Sequence, residues 1–484
     1  MRQASLVAFL AGAATVLGFA PFELFPLPIL TLALLFHLWR RAANPRQAAW
    51  HGFAWGMGCF LVGVSWVYVS LHDVGGMAMP LAATATLLFC AWLALFPALA
   101  GYLFRRVATT DFADVPLAAG LWTLTEWLRG WLLTGFPWLA IGYSQAPPSP
   151  LAGFAPVAGV HGVGFIVAFL AAALVFHRCR GWIVVVGVAL VGLGLRDVAW
   201  TRPAGPPLSV SLLQGNIPQS LKWAPEHLQL SLETYARLAR AHPAQLTVLP
   251  ETAVPLWFDE IPADFLRGLT RHGDALLGGV ARDGAAYRNA ALALSPGGAV
   301  QAYSKVHLVP FGEFVPPGFG WFFGLVNIPM SDFSAGERRQ PPLAVAGQKI
   351  MPNICYEDLF GEELLPALPD ATLLINLSNT AWFGDSLAQP QHLQIARVRA
   401  LETGRMILRA TNTGMTAAIA PDGRTISVLP PFTAGALEVS AQGFSGLTPF
   451  ARVGNALAVS LACLAVAIAV ARRRVNGRGG ANVN

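Results

Sequence analysis

The sequence predicts a polytopic α-helical membrane domain with about eight spans, joined to an extracytoplasmic α/β domain. Hydrophobic residues make up 55% of the 484-residue chain and charged residues only 12%, whereas a soluble domain carries roughly a quarter charged residues. The apolar residues are clustered, the basic residues alternate between successive loops, and one long segment has ordinary soluble composition. These observations together favour a membrane part and a separate soluble part.

Eight apolar runs approach the ~20 residues that a helix needs to cross the hydrocarbon core. The second and seventh runs are the shortest. The first could instead be a cleavable signal peptide, but its removal would not explain why the later loops keep their alternating charge. The runs are Leu6 to Ala20, Leu27 to Trp39, Phe53 to Leu71, Leu81 to Phe104, Val115 to Leu133, Val160 to Phe176, Trp182 to Leu195 and Val453 to Ala471.

The basic residues of the short loops predict the orientation, because cytoplasmic loops collect Lys and Arg. The loops around Glu23, Asp73 and Ser144 contain none. Both termini are therefore predicted to be cytoplasmic, and charges placed this way give no support to nucleic-acid binding. The basic residues on the inside are Arg2, Arg40, Arg41, Arg46, Arg105, Arg106, Arg178, Arg180, Arg472, Arg473, Arg474 and Arg478.

This pattern divides the chain into three parts. Residues 1–195 are a membrane domain with seven transmembrane helices, 196–450 are the extracytoplasmic domain, and 451–484 hold the eighth helix and a short basic cytoplasmic tail. The middle part alternates strand-like and helical stretches, which is typical of an α/β layered domain. Its strand-like runs are Leu208 to Leu213, Leu246 to Leu249, Ala290 to Leu294 and Thr372 to Leu377, and its helical stretches are Pro225 to Ala241 and Gln391 to Arg405.

Cys355 is the one cysteine among five that lies in the predicted outer domain, so it has no disulfide partner there. It follows an apolar strand and precedes Tyr356 and Glu357, a position where α/β domains place their sites. A thiol has a pKa near 8.5 and needs a base or a positive environment to act as a nucleophile. A buried, inert cysteine is the alternative interpretation.

Two further strand ends carry residues that suit such chemistry. Glu251 directly follows the strand Leu246 to Leu249, and Lys305 lies among apolar and aromatic residues after Tyr303. Taken singly, Glu251 would be interpreted as a loop carboxylate and Lys305 as a surface charge. Their occurrence with Cys355 in one domain favours a joint site.

The sequence around these residues resembles the nitrilase superfamily. The matching motifs are Pro250-Glu251-Thr252-Ala253, the stretch from Tyr303 to Glu313, and Ile354-Cys355-Tyr356-Glu357. With its eight predicted spans, the whole chain is similar to the bacterial apolipoprotein N-acyltransferase family. The resemblance implies a nitrilase-like αββα sandwich for the outer domain.

The resemblance also implies a role for each matching residue. Glu251 would be the general base, Cys355 the nucleophile, and Lys305 the group that stabilises the oxyanion. No cofactor or metal is implied. The residues that would support the site or bind substrate are Glu313, Tyr356, Glu357 and Trp223. The chain departs from the family at Thr380, where an aspartate is usual.

A family member of this kind moves a fatty acyl chain from a phospholipid, typically phosphatidylethanolamine, through a cysteine thioester. The acceptor is the N-terminal α-amino group of diacylglyceryl-cysteine in an apolipoprotein. The resemblance therefore implies a monomer in the bacterial inner membrane with a periplasmic catalytic domain. Both substrates are anchored in the bilayer, and extracting their tails would cost roughly 0.8 kcal/mol per CH₂.

Two alternatives remain at this stage. A membrane-tethered amidase of the nitrilase type would use the same residues with water as the acceptor. A transporter or receptor with an extracytoplasmic binding domain would place charged or broken helices inside the bundle, and beyond Glu126 and Arg129, interpreted as a structural pair, few such features are seen. The apolar stretch from Pro316 to Val326 has glycine and proline hinges and is a candidate lid; an ordinary apolar loop packed on the domain is the alternative interpretation.

Overall fold

The computed structural model describes residues 2–109, 113–177, 179–219, 225–284, 286–316, 318, 320 and 332–479. Its contacts divide the chain into two compact units. The first unit comprises Met1–Ser65, Pro80–Val198 and Arg452–Asn484, and the second comprises Trp66–Met79 and Ala199–Ala451.

The first unit is helical, and a helix lies at each of the eight apolar runs. Three helices of the described chain, at Met79–Val107, Pro150–Phe176 and Ala456–Val475, are long and apolar enough to cross a membrane. The longer helices of this unit are α1 (Arg2–Thr15), α2 (Leu27–Arg41), α3 (Pro45–Gly63), α4 (Met79–Val107), α5 (Asp114–Arg129), α6 (Ala155–His177), α7 (Cys179–Arg196) and, at the C-terminal end, α11 (Ala456–Gly479).

Helix α3 differs from the apolar run that predicts it. It begins at Pro45, eight residues before the run, because the Asn44 side chain accepts a hydrogen bond from the backbone N–H of Gln47 and caps the helix. The run does not continue as one helix, since the chain bends by 58° between Pro45–Gly63 and Val67–Val74. The two helices of this bent pair would form a fourth span if together they cross the membrane once.

Glu126 and Arg129 hold an irregular segment of the first unit. Arg129 donates hydrogen bonds to the carbonyls of Phe136 at 2.6 Å and Trp138 at 2.7 Å. Glu126 Oε1 accepts one from the backbone N–H of Ile141 at 2.9 Å, and lies 3.8 Å from the Arg129 guanidinium. Non-helical backbone among apolar helices needs such partners for its polar groups, so the contacts agree with a structural pair.

The second unit contains two six-stranded sheets, in the orders β12-β1-β2-β3-β4-β5 and β11-β10-β9-β8-β7-β6. In each sheet three neighbouring strands run parallel: β1, β2 and β3 in the first, and β7, β8 and β9 in the second. The strands are β1 (Arg202–Gln214), β2 (Leu246–Leu249), β3 (Asp274–Asp283), β4 (Ala286–Leu294), β5 (Val300–Ser304), β6 (Leu343–Val345), β7 (Gln348–Ile354), β8 (Leu373–Ser378), β9 (Ile407–Thr411), β10 (Ala417–Ile419), β11 (Thr425–Val428) and β12 (Gly435–Ser445).

The two sheets share one apolar core, to which Val210 and Val248 of the first sheet and Ile350 and Ile375 of the second contribute. A second cluster packs helices α8 (Pro225–Ala241) and α9 (Ala263–Leu269) on the first sheet. Helix α10 (Ala388–Thr403) packs on the second sheet. The α/β prediction for this part of the chain is therefore confirmed, with strands and helices at the predicted runs.

A short segment of the N-terminal half also belongs to the second unit. Residues Trp66–Met79 lie between α3 and α4 in sequence, yet they pack with the second unit. The Ser70 hydroxyl donates a hydrogen bond to the carbonyl of Trp382 at 2.8 Å, and the Trp66 ring contacts the Phe383 ring edge to face. The loop after β8 is thus held by a segment far away in sequence.

Candidate active site

Three strand ends bring the predicted reactive residues together. Glu251 follows β2, Lys305 follows β5, and Cys355 follows β7. All three are buried, with Lys305 only 1% exposed and Glu251 and Cys355 each 8% exposed. A carboxylate, an ammonium and a thiol therefore share a site from which most solvent is excluded.

The Lys305 ammonium lies between two carboxylates. Its Nζ atom is 2.8 Å from Oε2 of Glu313 and 3.4 Å from Oε1 of Glu251. Burial alone lowers the pKa of Lys305, but the negative charges of Glu313 and Glu251 outweigh it and raise the pKa above its ordinary value. Lys305 is therefore a permanent cation at neutral pH, suited to stabilise a developing negative charge.

Asn289 of strand β4 links the two carboxylates. Its amide Nδ2 donates to Oε1 of Glu251 and to Oε1 of Glu313, both at 2.7 Å. The other oxygen of Glu251 accepts a hydrogen bond at 2.9 Å from the backbone N–H of Asn379. Because these donors fix both oxygens, the Glu251 carboxylate is held in one orientation.

Cys355 begins a tight turn, Cys355–Leu359, that directly follows β7. Its φ of 54° lies in the left-handed region, where a residue with a side chain is strained by about 1–3 kcal/mol. Burial and then the negative charge of Glu251 raise the pKa of the Cys355 thiol, whereas Lys305 lowers it. The thiol is therefore protonated at rest and needs a base to become a nucleophile.

Glu357 anchors this turn to the end of strand β5. One of its oxygens accepts hydrogen bonds from Tyr303 Oη at 3.0 Å, the Val306 N–H at 2.6 Å and the His307 N–H at 3.2 Å. The other accepts from the Ile354 N–H at 2.6 Å. Glu357 thus fixes the backbone on both sides of the thiol and next to Lys305, and burial raises its pKa to about 7.

The structure describes some of the remaining predicted residues and not others. Tyr356 is buried and its ring contacts those of His307 and Phe360. Trp223 and most of the candidate lid from Pro316 to Val326 lie outside the described residues. Thr380 is fully buried, and its hydroxyl has no hydrogen-bond partner among the described residues.

Sequence reasoning missed Asn289, although its signal was present. The stretch Asn289 to Leu294 is apolar except for this asparagine, and a polar side chain that enters a buried strand needs hydrogen-bond partners. Sequence reasoning also missed the backbone N–H of Asn379, because a backbone donor cannot be recognised from the residue type.

Comparison with known sequences covers both units. The apolipoprotein N-acyltransferase N-terminal domain matches residues 11–173, and the carbon-nitrogen hydrolase domain matches residues 209–442. The chain is 51% identical to the apolipoprotein N-acyltransferase of Nitrosomonas europaea over 94% of this chain and 95% of that protein. It is 49% identical to that of Chromobacterium violaceum over 95% of this chain and 91% of that protein. These full-length similarities show that the chain belongs to the apolipoprotein N-acyltransferase family.

Proposed function

We propose that the chain transfers a fatty acyl group from a membrane phospholipid to the N-terminal α-amino group of diacylglyceryl-cysteine in apolipoproteins. The observation that carries this proposal is the buried grouping of Glu251, Lys305 and Cys355 at three strand ends. Phosphatidylethanolamine is the proposed acyl donor. The family relationship supports the acceptor, since the relatives are named for N-acylation of apolipoproteins.

In the first half-reaction, Glu251 takes the proton from the Cys355 thiol, and the sulfur attacks the ester carbonyl carbon of the phospholipid. Lys305 stabilises the oxyanion of the tetrahedral intermediate, a contribution of several kcal/mol in comparable sites. The carbon–oxygen bond to the glycerol breaks, and the leaving oxygen takes the proton from Glu251. A thioester and a lysophospholipid result.

In the second half-reaction, the α-amine of the lipoprotein attacks the thioester carbonyl and Glu251 accepts its proton. The carbon–sulfur bond breaks, the amide leaves, and the proton returns to the Cys355 sulfur. Because one substrate departs before the other reacts, ping-pong kinetics are expected. Glu313, Tyr356 and Glu357 support the site in this scheme, and Trp223 contacts the substrate.

We further propose the membrane location and topology that the sequence predicts. Eight spans anchor the chain in the bacterial inner membrane as a monomer, with both termini in the cytoplasm and the catalytic domain in the periplasm. The division is a seven-span membrane domain over 1–195, a catalytic domain over 196–450 and an eighth span with a basic tail over 451–484. The three helices that are long and apolar enough to cross support a membrane location.

The direct test uses phospholipid labelled in its acyl chain. The purified protein should acquire a label that hydroxylamine removes, and Cys355→Ala should acquire none. A diacylated lipopeptide should then discharge the label to its amine. Equal labelling of Cys355→Ala would refute the thioester, and discharge to water alone would identify a hydrolase instead of a transferase.

A further inference from the structure

A second buried polar cluster joins the turn that carries Cys355 to helix α10 and strand β9. The Asp358 carboxylate lies 2.7 Å from Nε2 of His392 and accepts a hydrogen bond from Nη1 of Arg409 at 2.8 Å. Nη2 of Arg409 lies 2.6 Å from Nδ1 of His392. Each of the three side chains is at most 3% exposed, so the cluster is closed to solvent.

The hydrogen-bond roles determine the protonation state of His392. A guanidinium group only donates, so Nδ1 of His392 must accept from Arg409, and Nε2 carries the hydrogen that Asp358 accepts. Burial, and then the positive charge of Arg409, lower the pKa of His392 and keep the ring neutral. Hydrogen bonds at both ring nitrogens, to Asp358 and from Arg409, therefore fix the orientation of the ring.

The position of this cluster relative to the nucleophile points to a role. Cys355 and Asp358 belong to the same single turn, Cys355–Leu359. Glu357 ties the turn to the end of β5, and Asp358 ties it to α10 and β9. A left-handed Cys355 persists only where its surroundings over-determine the backbone. Glu357 and Asp358, adjacent in sequence, supply two anchors that point to different elements.

We propose that Asp358, His392 and Arg409 are positioning residues that hold the Cys355 turn in its reactive conformation. This role rests on the proposed function of Cys355 as the nucleophile. The Arg409 charge also balances that of Asp358, which would otherwise disfavour the thiolate. The other charged groups that act on the thiol are Glu251, Lys305 and Glu313.

The test measures the alkylation of Cys355 by iodoacetamide, read by mass spectrometry of its peptide, over a range of pH in the full-length protein. This reaction reports on the thiol without any acyl donor. His392→Phe removes both ring hydrogen bonds, and His392→Gln retains one acceptor and one donor. Arg405→Met is the matched control, because Arg405 is also fully buried but donates to the backbone carbonyls of Ala371, Leu368 and Gly446.

We expect His392→Phe to slow alkylation by about tenfold or more, since small displacements of reacting groups cost that much. His392→Gln should recover most of the rate, and Arg405→Met should stay near the native value. Arg409→Gln leaves the negative charge of Asp358 uncompensated, so the alkylation midpoint should shift to higher pH. Asp358→Asn leaves the positive charge of Arg409 uncompensated, so the midpoint should shift to lower pH.

A midpoint that Arg409→Gln and Asp358→Asn shift in the same direction, or not at all, would overturn this role. Equal slowing of alkylation by His392→Phe and Arg405→Met would also overturn this role. If the native protein forms no acyl label while the alkylation results are as expected, the acyl-transfer function fails and the positioning role of the cluster stands.

Discussion

The ammonium nitrogen of Lys305 lies closer to Glu313 than to Glu251, at 2.8 Å against 3.4 Å. Two carboxylates therefore share one cation unequally. Glu313 takes the tighter pair, and Val309 also donates its backbone N–H to the same oxygen of Glu313 at 2.8 Å. Glu251 is left with the weaker attraction, which suits its proposed role as the acceptor of the Cys355 proton.

Replacing Glu313 should impair Glu251 indirectly. In Glu313→Gln, Lys305 would pair with Glu251 alone and compete with the Cys355 thiol for that carboxylate, so thioester formation should slow by about 10²-fold. Glu251→Gln removes the base and should slow it further. Single-turnover labelling with acyl-labelled phospholipid measures both, with Glu260→Gln at an exposed ion pair as the control. Equal losses in the two site variants would contradict separate roles.

Asn289 should matter for both activity and stability. Asn289→Leu would remove the amide that bridges Glu251 and Glu313 and leave one buried and one partly buried carboxylate with fewer donors, at a cost of about 1–3 kcal/mol. Thioester formation should slow because Glu251 loses its fixed orientation. Denaturant unfolding and single-turnover labelling test this together. In Gln442→Ala, which loses an amide that donates to the backbone carbonyls of Ala204, Gly205 and Gly443, the rate per folded molecule should not change.

Glu357 should make stability depend on pH. Burial raises its pKa from 4.5 to about 7. Between pH 4.5 and pH 7, Glu357 therefore keeps its proton in the folded state and has lost it in the unfolded state. The resulting stabilisation is fully present below pH 4.5 and is lost as pH rises through 7, by up to about 3 kcal/mol.

The measurement compares urea unfolding of the native protein with that of Glu357→Gln from pH 4.5 to 7.5. The stability advantage of the native protein should shrink as pH rises, because the variant has no carboxyl to titrate at this position. A difference in unfolding free energy that is constant with pH would show that Glu357 does not titrate in this window.

Gly414, in the loop after β9, should tolerate no added bulk, because it packs closely against Thr380 in the loop after β8. A Cβ at this position would overlap Oγ1 of Thr380 and lie 2.6 Å from Oε1 of Gln389. Gly414→Ala should therefore cost about 1–3 kcal/mol in unfolding free energy and slow thioester formation by displacing the Asn379 N–H from Glu251. Adding Thr380→Ala should restore part of both. No recovery in the double variant would place the strain elsewhere.

Arg129 should be needed for folding and not for chemistry. Arg129→Met would leave the Phe136 and Trp138 carbonyls without their donor and Glu126 without its cation, at about 3–5 kcal/mol for a broken buried pair. The yield of folded protein in detergent should fall, while the thioester formed per folded molecule should not. A loss of labelling in fully folded protein would assign the pair a functional role.

The meeting of Glu251, Lys305 and Cys355 could be predicted because each stands at the end of a recognisable strand, and strand ends of one domain converge. The sequence marks Asn289 as a polar residue in an apolar strand, but the two carboxylates that it bridges could not be predicted, since they depend on the pairing of β4 with β5 that places the Lys305 N–H on the Asn289 carbonyl at 2.8 Å. Asp358, His392 and Arg409 come from three elements separated along the chain, and their meeting follows from packing alone. Hydropathy likewise did not reveal the bend that ends α3 at Gly63.

The packing of Trp66–Met79 with the second unit has a consequence for biosynthesis. Ser70 and its partner Trp382 are 312 residues apart in sequence, so the ribosome completes this early segment long before the residues that it contacts exist. The contact between Ser70 and Trp382 can therefore form only after most of the second unit has been synthesised. A fragment comprising residues 199–451 alone would be made without this segment and would expose the Phe383 surface that Trp66 covers.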